Sequence, residues 1–223
     1  MSIQENLLGL AKEIPHACTL IVVSKTQPLE KIQEAYDAGH RDFGENKVQE
    51  MAPKYEVLPK DISWHLIGHL QTNKVKYIAP FVSLIHSVDS PKLLVEINKQ
   101  ASKISRIIPC LLQIHIAGEE TKFGFSEQEV LELVHSTSLE GLQNIAIKGL
   151  MGMATFTDNK DQVRREFKSL RMLFEKLKNQ VLPGSVKMEE LSMGMSGDFT
   201  IALEEGSTMI RVGTAIFGQR KHP

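Results

Sequence analysis

The sequence predicts an α/β fold, a single TIM-like (β/α)8 barrel. Short apolar runs alternate with helical-period stretches from end to end, and such alternation builds a parallel sheet with right-handed crossovers. The unit recurs about eight times within 223 residues, which favours a closed barrel over an open doubly wound sheet. No G-x-G-x-x-G follows the first strand, so the dinucleotide-binding version of an open sheet is weakened. No Gly/Ser/Pro-rich linker, charge block or low-complexity segment divides the chain, and one domain is expected over residues 1–223.

Residues 1–15 are amphipathic and predict a helix over 3–13 that packs on the barrel. Strands are expected at 20–23, 42–44, 64–67, 82–86, 109–116, 146–151, 190–193 and 209–212. The helices between them are expected at 29–38, 47–58, 73–79, 91–103, 127–137, 161–180 and 197–204. Leu29, Ile32, Ala35 and Tyr36 share one helical face, as do Val163, Phe167, Leu170, Leu173, Phe174 and Leu177. Ser90-Pro91 reads as a helix start with proline at the first helical position, and Ser126 as a cap. Gly39 and Gly184 fall where helices should end.

The totals are those of an ordinary globular protein, with 42% hydrophobic and 24% charged residues. With 26 basic and 27 acidic residues the net charge is −1, so no global field draws in nucleic acid or an anionic membrane. Cys18 and Cys110 lie in or beside apolar runs and fit no metal-ligand spacing, which suggests reduced thiols, no metal and a cytoplasmic protein. No secretory leader is expected in residues 1–15, and no apolar run is long enough to span a bilayer. No apolar helix face is left over, which suggests a monomer.

The first strand ends in a lysine: Thr19-Leu20-Ile21-Val22-Val23-Ser24-Lys25-Thr26. A lysine snorkelling at a strand end is the plainer account of that segment alone. Partial desolvation in a pocket would instead lower its pKa and let the neutral amine attack an aldehyde to form a Schiff base. In such barrels the chemistry sits at the C-terminal ends of the strands. There the chain carries Phe43-Gly44-Glu45-Asn46, the run from Trp64 through His65 and His69 to Lys74, Gln113-Ile114-His115, and the segment from Lys148 to Met153. Each could merely turn the chain or cap a helix; their sum on one rim points to a site.

The last third is more specific. Leu191-Ser192-Met193-Gly194-Met195-Ser196-Gly197-Asp198 ends the seventh strand, and Arg211-Val212-Gly213-Thr214-Ala215-Ile216-Phe217-Gly218 ends the eighth. Small residues let backbone approach a ligand and hydroxyls donate to it, so these two loops read as the phosphate site common after strands seven and eight. Arg211 shares a face with Met209 by strand alternation, and facing inward it would stand beside Lys25 across the barrel seam. An ion pair of Arg211 with Glu204, Glu205 or Glu45 is the structural alternative.

With these motifs in order, from about Leu20 to Gly218, the sequence resembles the YggS/PROSC family, the pyridoxal phosphate homeostasis proteins. The resemblance implies a barrel like the N-terminal domain of alanine racemase, with pyridoxal 5'-phosphate (PLP) held as a Schiff base on Lys25. It implies a phosphate against Ser196, Gly213 and Thr214, with Ser192 as a further candidate, Arg211 facing the pyridine nitrogen, and Asn46 approaching from the second strand. His69 and His115 depart from the family pattern. The resemblance further implies a PLP carrier or regulator, a vitamin B6 homeostasis role, with PLP-dependent apo-enzymes as candidate recipients.

A guanidinium cannot accept the proton of a pyridine ring, so a cofactor facing Arg211 would be a poor electron sink. Tyr36, Tyr55 and Tyr77 all fall on predicted helices, and none offers the second acid/base group that racemases carry on another domain. No catalytic residue is therefore assigned. A PLP-dependent amino-acid racemase or lyase is the alternative, and it would need His65 or His115 as its base. A cofactor-free Schiff-base aldolase is a third reading.

Overall fold

A computed structural model describes residues 2–118 and 123–219. The expected domain over 1–223 also takes in Met1, 119–122 and 220–223, which lie outside the described residues. Eight parallel strands close in chain order: β1 (Thr19–Val23), β2 (Asp42–Glu45), β3 (Ser63–Leu66), β4 (Leu84–Val88), β5 (Ile108–Ile114), β6 (Ile145–Gly152), β7 (Val186–Met195) and β8 (Met209–Val212). The closing pair is β1 with β8, where Ile21 stands opposite Arg211 and Val22 opposite Val212.

The helices are α1 (Ile3–Glu13), α2 (Leu29–Asp37), α3 (Val48–Val57), α4 (Val75–Ile78), α5 (Pro91–Ser102), α6 (Glu127–His135), α7 (Lys160–Lys178), α8 (Phe199–Glu204) and α9 (Thr214–Phe217). Their starts follow from side-chain oxygens that take up orphan amides. Ser2 with Glu5 and Ser126 with Glu129 form reciprocal capping boxes, and Asn159 accepts from the Gln162 amide. On α7 the predicted stripe Val163, Phe167, Leu170, Leu173, Phe174 and Leu177 is buried throughout. α1 is fastened to the barrel wall, with Asn6 Nδ2 donating to Ile216 O at 2.8 Å and the Ile3 amide to Glu34 Oε1 at 3.3 Å.

The main core lies between the sheet and the helices, reaching from Ile3 to Phe217. A separate small apolar layer of Leu84, Leu111, Met151 and Met209 plugs the bore. Among the described residues no helix is long and apolar enough to cross a membrane, and both cysteines are unpaired thiols.

Three expectations shift. The fourth strand runs to Val88 rather than stopping at His86, because Ser87, which reads as a loop residue, is satisfied in the interior by donating to Gly68 O at 2.5 Å. The seventh strand starts at Val186, where buried Val186 and Met188 alternate with exposed Lys187 and Glu189. The helix expected at 73–79 is a 3-10 turn, Thr72–Lys74, leading into the single turn of α4. On α2, Ile32 and Ala35 are buried while Leu29 is exposed.

Candidate functional site

The first strand is built so that the residues on either side of Lys25 cannot drift. The Ser24 amide donates to Gly44 O at 3.0 Å and its hydroxyl to Glu45 Oε1 at 2.6 Å. Lys54 from α3 reaches Ser24 O at 2.9 Å and Glu45 Oε1 at 2.7 Å. Burial pushes the Glu45 carboxyl above its ordinary value, and the Lys54 charge and hydrogen bonds oppose that. Beyond the lysine, Thr26 sits at φ 63 and its amide donates to Glu50 Oε2 at 2.7 Å. A β-branched residue in the left-handed region is strained, and here the strain is held directly after the strand-end lysine.

Lys25 lines a cavity of about 440 Å3 at the C-terminal ends of the strands, together with Asn46, Ser196, Arg211, Gly213 and Thr214. That volume lies within the roughly 300–1,000 Å3 of small-molecule sites. Six of the seven residues singled out in the sequence thus meet in one place. The seventh, Ser192, is not on the lining: it is fully buried beneath it, its Oγ accepting from Arg211 Nη1 at 2.6 Å.

Glycines shape the walls. At Gly68 a Cβ would collide with the Asn46 backbone, so only glycine lets the loop after β3 seat Asn46 at the rim. A Cβ at Gly213 would press on Val23 O at 3.0 Å, which is how the loop after β8 comes to lie against β1. The Gly213 amide donates to Ser196 Oγ at 3.4 Å and joins the last two loops.

Arg211 is the buried cation of the floor. Its Nη1 and Nη2 donate to neutral oxygens, Ser192 Oγ at 2.6 Å and Gly152 O at 3.0 Å. Burial pulls its pKa down to about 10, with the nearby Asp198 carboxylate opposing, so it stays charged at neutral pH. Burial raises the Asp198 carboxyl, against the Met195 amide and Arg211. The ion pairs weighed as alternatives are taken elsewhere: Glu204 and Glu205 pair with Arg164, and Glu45 with Lys54. β1 and β8 are neighbours as expected, but the register sets Arg211 opposite Ile21, two inward positions short of Lys25. The guanidinium therefore forms the floor rather than standing level with the amine.

The sequence reading missed one wall. Beyond Met153, which the rim segment after the sixth strand already included, Ala154, Thr155, Phe156, Thr157 and Lys160 line the cavity, Phe156 fully exposed. Thr155 is fixed there by donating from its amide and hydroxyl to Glu166 at 2.6 and 2.8 Å. The polar loop signal was visible, but no motif ranked it. Neither histidine considered as a base lines the cavity. His65 is buried in the bore, and His115 borders a small recess with Gln113 and Phe123. His69 pairs with Asp89 at 2.8 Å and stacks on Phe123.

Comparison with known proteins places this arrangement. The family described as alanine racemase, N-terminal domain, matches residues 1–221. A pyridoxal phosphate homeostasis protein of Aquifex aeolicus is 42% identical over 233 residues, covering 100% of both chains. The chain belongs to the pyridoxal phosphate homeostasis protein family. Its relative in Vibrio alginolyticus is 37% identical over 99% of both chains. The protein PipY of Synechococcus elongatus, solved with PLP bound, superposes with a TM-score of 0.86 at 37% identity, over 97% of this chain and 100% of that one. An alanine racemase of Clostridium difficile, 14% identical with a TM-score of 0.77, shares the fold over 99% of this chain and 56% of its own.

Proposed function

We propose that this chain binds PLP in the cavity as a Schiff base on Lys25 and serves cofactor homeostasis rather than strong turnover. The observation that carries the reading is the convergence of Lys25, Asn46, Ser196, Arg211, Gly213 and Thr214 on one cavity. The lining fits such a group on its own chemistry: an amine for an aldehyde, and hydroxyls with a buried cation for an anion. At Gly197 a Cβ would meet nothing within 4 Å, so open space lies beside that backbone for a ligand.

When bound, the cofactor would supply an aldehyde, and Lys25 is the amine at the strand end that would hold it. Ser196, Thr214 and the Gly213 loop would hold its phosphate, the two hydroxyls as donors. Arg211 is fixed at the floor as a permanent donor that cannot accept the ring's proton. Ser192 acts through Arg211 and holds its guanidinium in place. Residues 1–223 act as one binding unit, a cytoplasmic monomer, with PLP-dependent apo-enzymes as the class of recipient.

The test is PLP titration followed by visible absorption. Saturable growth of an imine band, abolished in Lys25→Ala, supports the reading. Binding without that band, or an undiminished band in Lys25→Ala, overturns it. Transfer of PLP from the loaded protein to an apo-enzyme, faster than from free PLP at equal concentration, supports the homeostasis role; equal rates remove the carrier part.

A further inference from the structure

A continuous hydrogen-bond chain crosses the bore from the cavity floor to the opposite mouth of the barrel. Arg211 Nη1 donates to Ser192 Oγ at 2.6 Å. Ser192 Oγ lies 2.9 Å from His86 Nδ1, and His86 Nε2 lies 2.9 Å from His65 Nδ1. His65 Nε2 ends the chain 3.2 Å from Asp42 Oδ1. Arg211, Ser192, His86 and His65 are buried, and Asp42 with His65 opens onto a recess of about 250 Å3 at the N-terminal ends of the strands. Nothing in binding a ligand at the cavity requires two buried imidazoles on the far side of its floor. Buried polar side chains are costly unless they are fully paired, so a column of them inside an apolar plug calls for a role.

The donors and acceptors allow two consistent arrangements. A guanidinium only donates and an ionised carboxylate only accepts. With both imidazoles neutral, every bond runs the same way: Arg211 to Ser192, Ser192 to His86, His86 to His65 and His65 to Asp42. Both rings then carry hydrogen on Nε2. If His65 takes a second proton, its Nδ1–H must donate to His86 Nε2. His86 then carries its hydrogen on Nδ1 and donates to Ser192, whose oxygen accepts from both sides.

We propose that this chain is a proton-coupled link through the barrel, in which His65 and His86 are positioning residues that set, through Ser192, how firmly Arg211 is held at the cavity floor. In the neutral arrangement each bond polarises the next and the Arg211–Ser192 bond is strengthened. In the protonated arrangement His86 competes with Arg211 for the same oxygen, and the guanidinium is held less firmly. By reciprocity, a ligand that needs Arg211 in place disfavours the proton at His65. Histidine is the side chain whose charge changes between pH 5 and 8.

Among the described residues, Asp198 faces the Arg211 end of this column, and the other facing groups are these. His65 meets Asp42 from β2, His86 from β4 and His40 just before β2. Across the mouth stand Lys148 on β6 and Glu189 and Glu190 on β7, the first two paired at 2.8 Å. Arg211 on β8 acts on His86 from above. Burial, then the neighbouring His65 and Arg211, hold His86 well below the ordinary imidazole value, so the added proton is placed on His65, the ring that touches Asp42.

The use made of Arg211 rests on the PLP reading, but the link itself can be read without ligand. Ring 15N spectra of the intact protein should show His86 as the Nε2–H tautomer at pH 8 and the Nδ1–H tautomer near pH 5.5. In Ser192→Ala its state should no longer respond to Arg211→Met. PLP affinity should fall about threefold more between pH 8 and 5.5 in the wild type than in His65→Gln, which cannot be charged. A single His86 tautomer across that range overturns the link, as does an identical pH dependence of PLP affinity in His65→Gln. Failure of PLP to bind at all sinks the functional reading instead, while the tautomer measurement still decides the link.

Discussion

Lys54 Nζ lies 2.7 Å from Glu45 Oε1 and 2.9 Å from Ser24 O, so one buried ammonium ties α3 to the residue before Lys25. The second Glu45 oxygen is buried without a hydrogen-bond partner. Breaking a buried pair from one side leaves an uncompensated charge, whereas replacing both partners removes the problem. Lys54→Met should destabilise the protein by about 3 kcal/mol, and the double variant Glu45→Leu/Lys54→Met should recover most of it. Denaturant unfolding of both variants checks this; equal losses in single and double variants would contradict the pairing.

Gly194 holds φ +96 in the last residues of β7, and a Cβ there would come within 2.6 Å of Ala202 Cβ. Gly194→Ala should cost about 2 kcal/mol or more through strain and overpacking. Gly197→Ala, three residues on, meets only open space and should stay within about 0.5 kcal/mol of the parent. Thermal unfolding distinguishes the two; a stability loss at Gly197 equal to that at Gly194 would mean the loop is packed differently.

Ser196 and Thr214 both line the cavity, and the Ser196 hydroxyl also accepts from the Gly213 amide. A lost hydrogen bond to an anion is worth about 1.4 kcal/mol, or tenfold in affinity. Ser196→Ala and Thr214→Ala should each raise the PLP dissociation constant by about that factor with little change in unfolding midpoint. Unchanged constants in both would remove the phosphate assignment.

The Asp42–His65 pair gives a pH prediction. Burial disfavours the Asp42 charge, but the hydrogen bond and charge of His65, aided by His40, outweigh it and hold the carboxyl below 3.8. A folded value below the unfolded one means the pair's contribution is present above the ordinary carboxylate value and lost as the pH falls through the folded one. Asp42 is about a third exposed, so Asp42→Asn should cost only about 0.5–1 kcal/mol at pH 6. That difference should narrow as the pH falls below the ordinary carboxylate value, read from urea midpoints across the range.

Much of this was legible in the chain. A continuous apolar run such as 20–23 has few alternatives to a doubly covered strand, and the serine-glycine loops read after the last two strands both line the cavity. What periodicity could not show was depth. Ser192 and Ser196 differ by four positions in one motif, yet the first lies under the floor and the second on the wall. His65 reads as a rim residue because it stands near Gly68 in sequence, but its strand parity turns it into the bore opposite Gly44. The signal was available: a histidine inside an apolar strand needs a buried partner, and His86 on the next strand is one. The wall from Ala154 to Lys160 carried no motif, because its position depends on Glu166 of the following helix reaching back to Thr155.

Borohydride reduction of the PLP-loaded protein, followed by peptide mapping, reads the central claim most directly. Among the described residues the cavity is lined by two amines, Lys25 and Lys160, so the outcome is discriminating. The label should sit on Lys25 alone. A label on Lys160, or spread over surface lysines with Lys25 unmodified, would contradict the account.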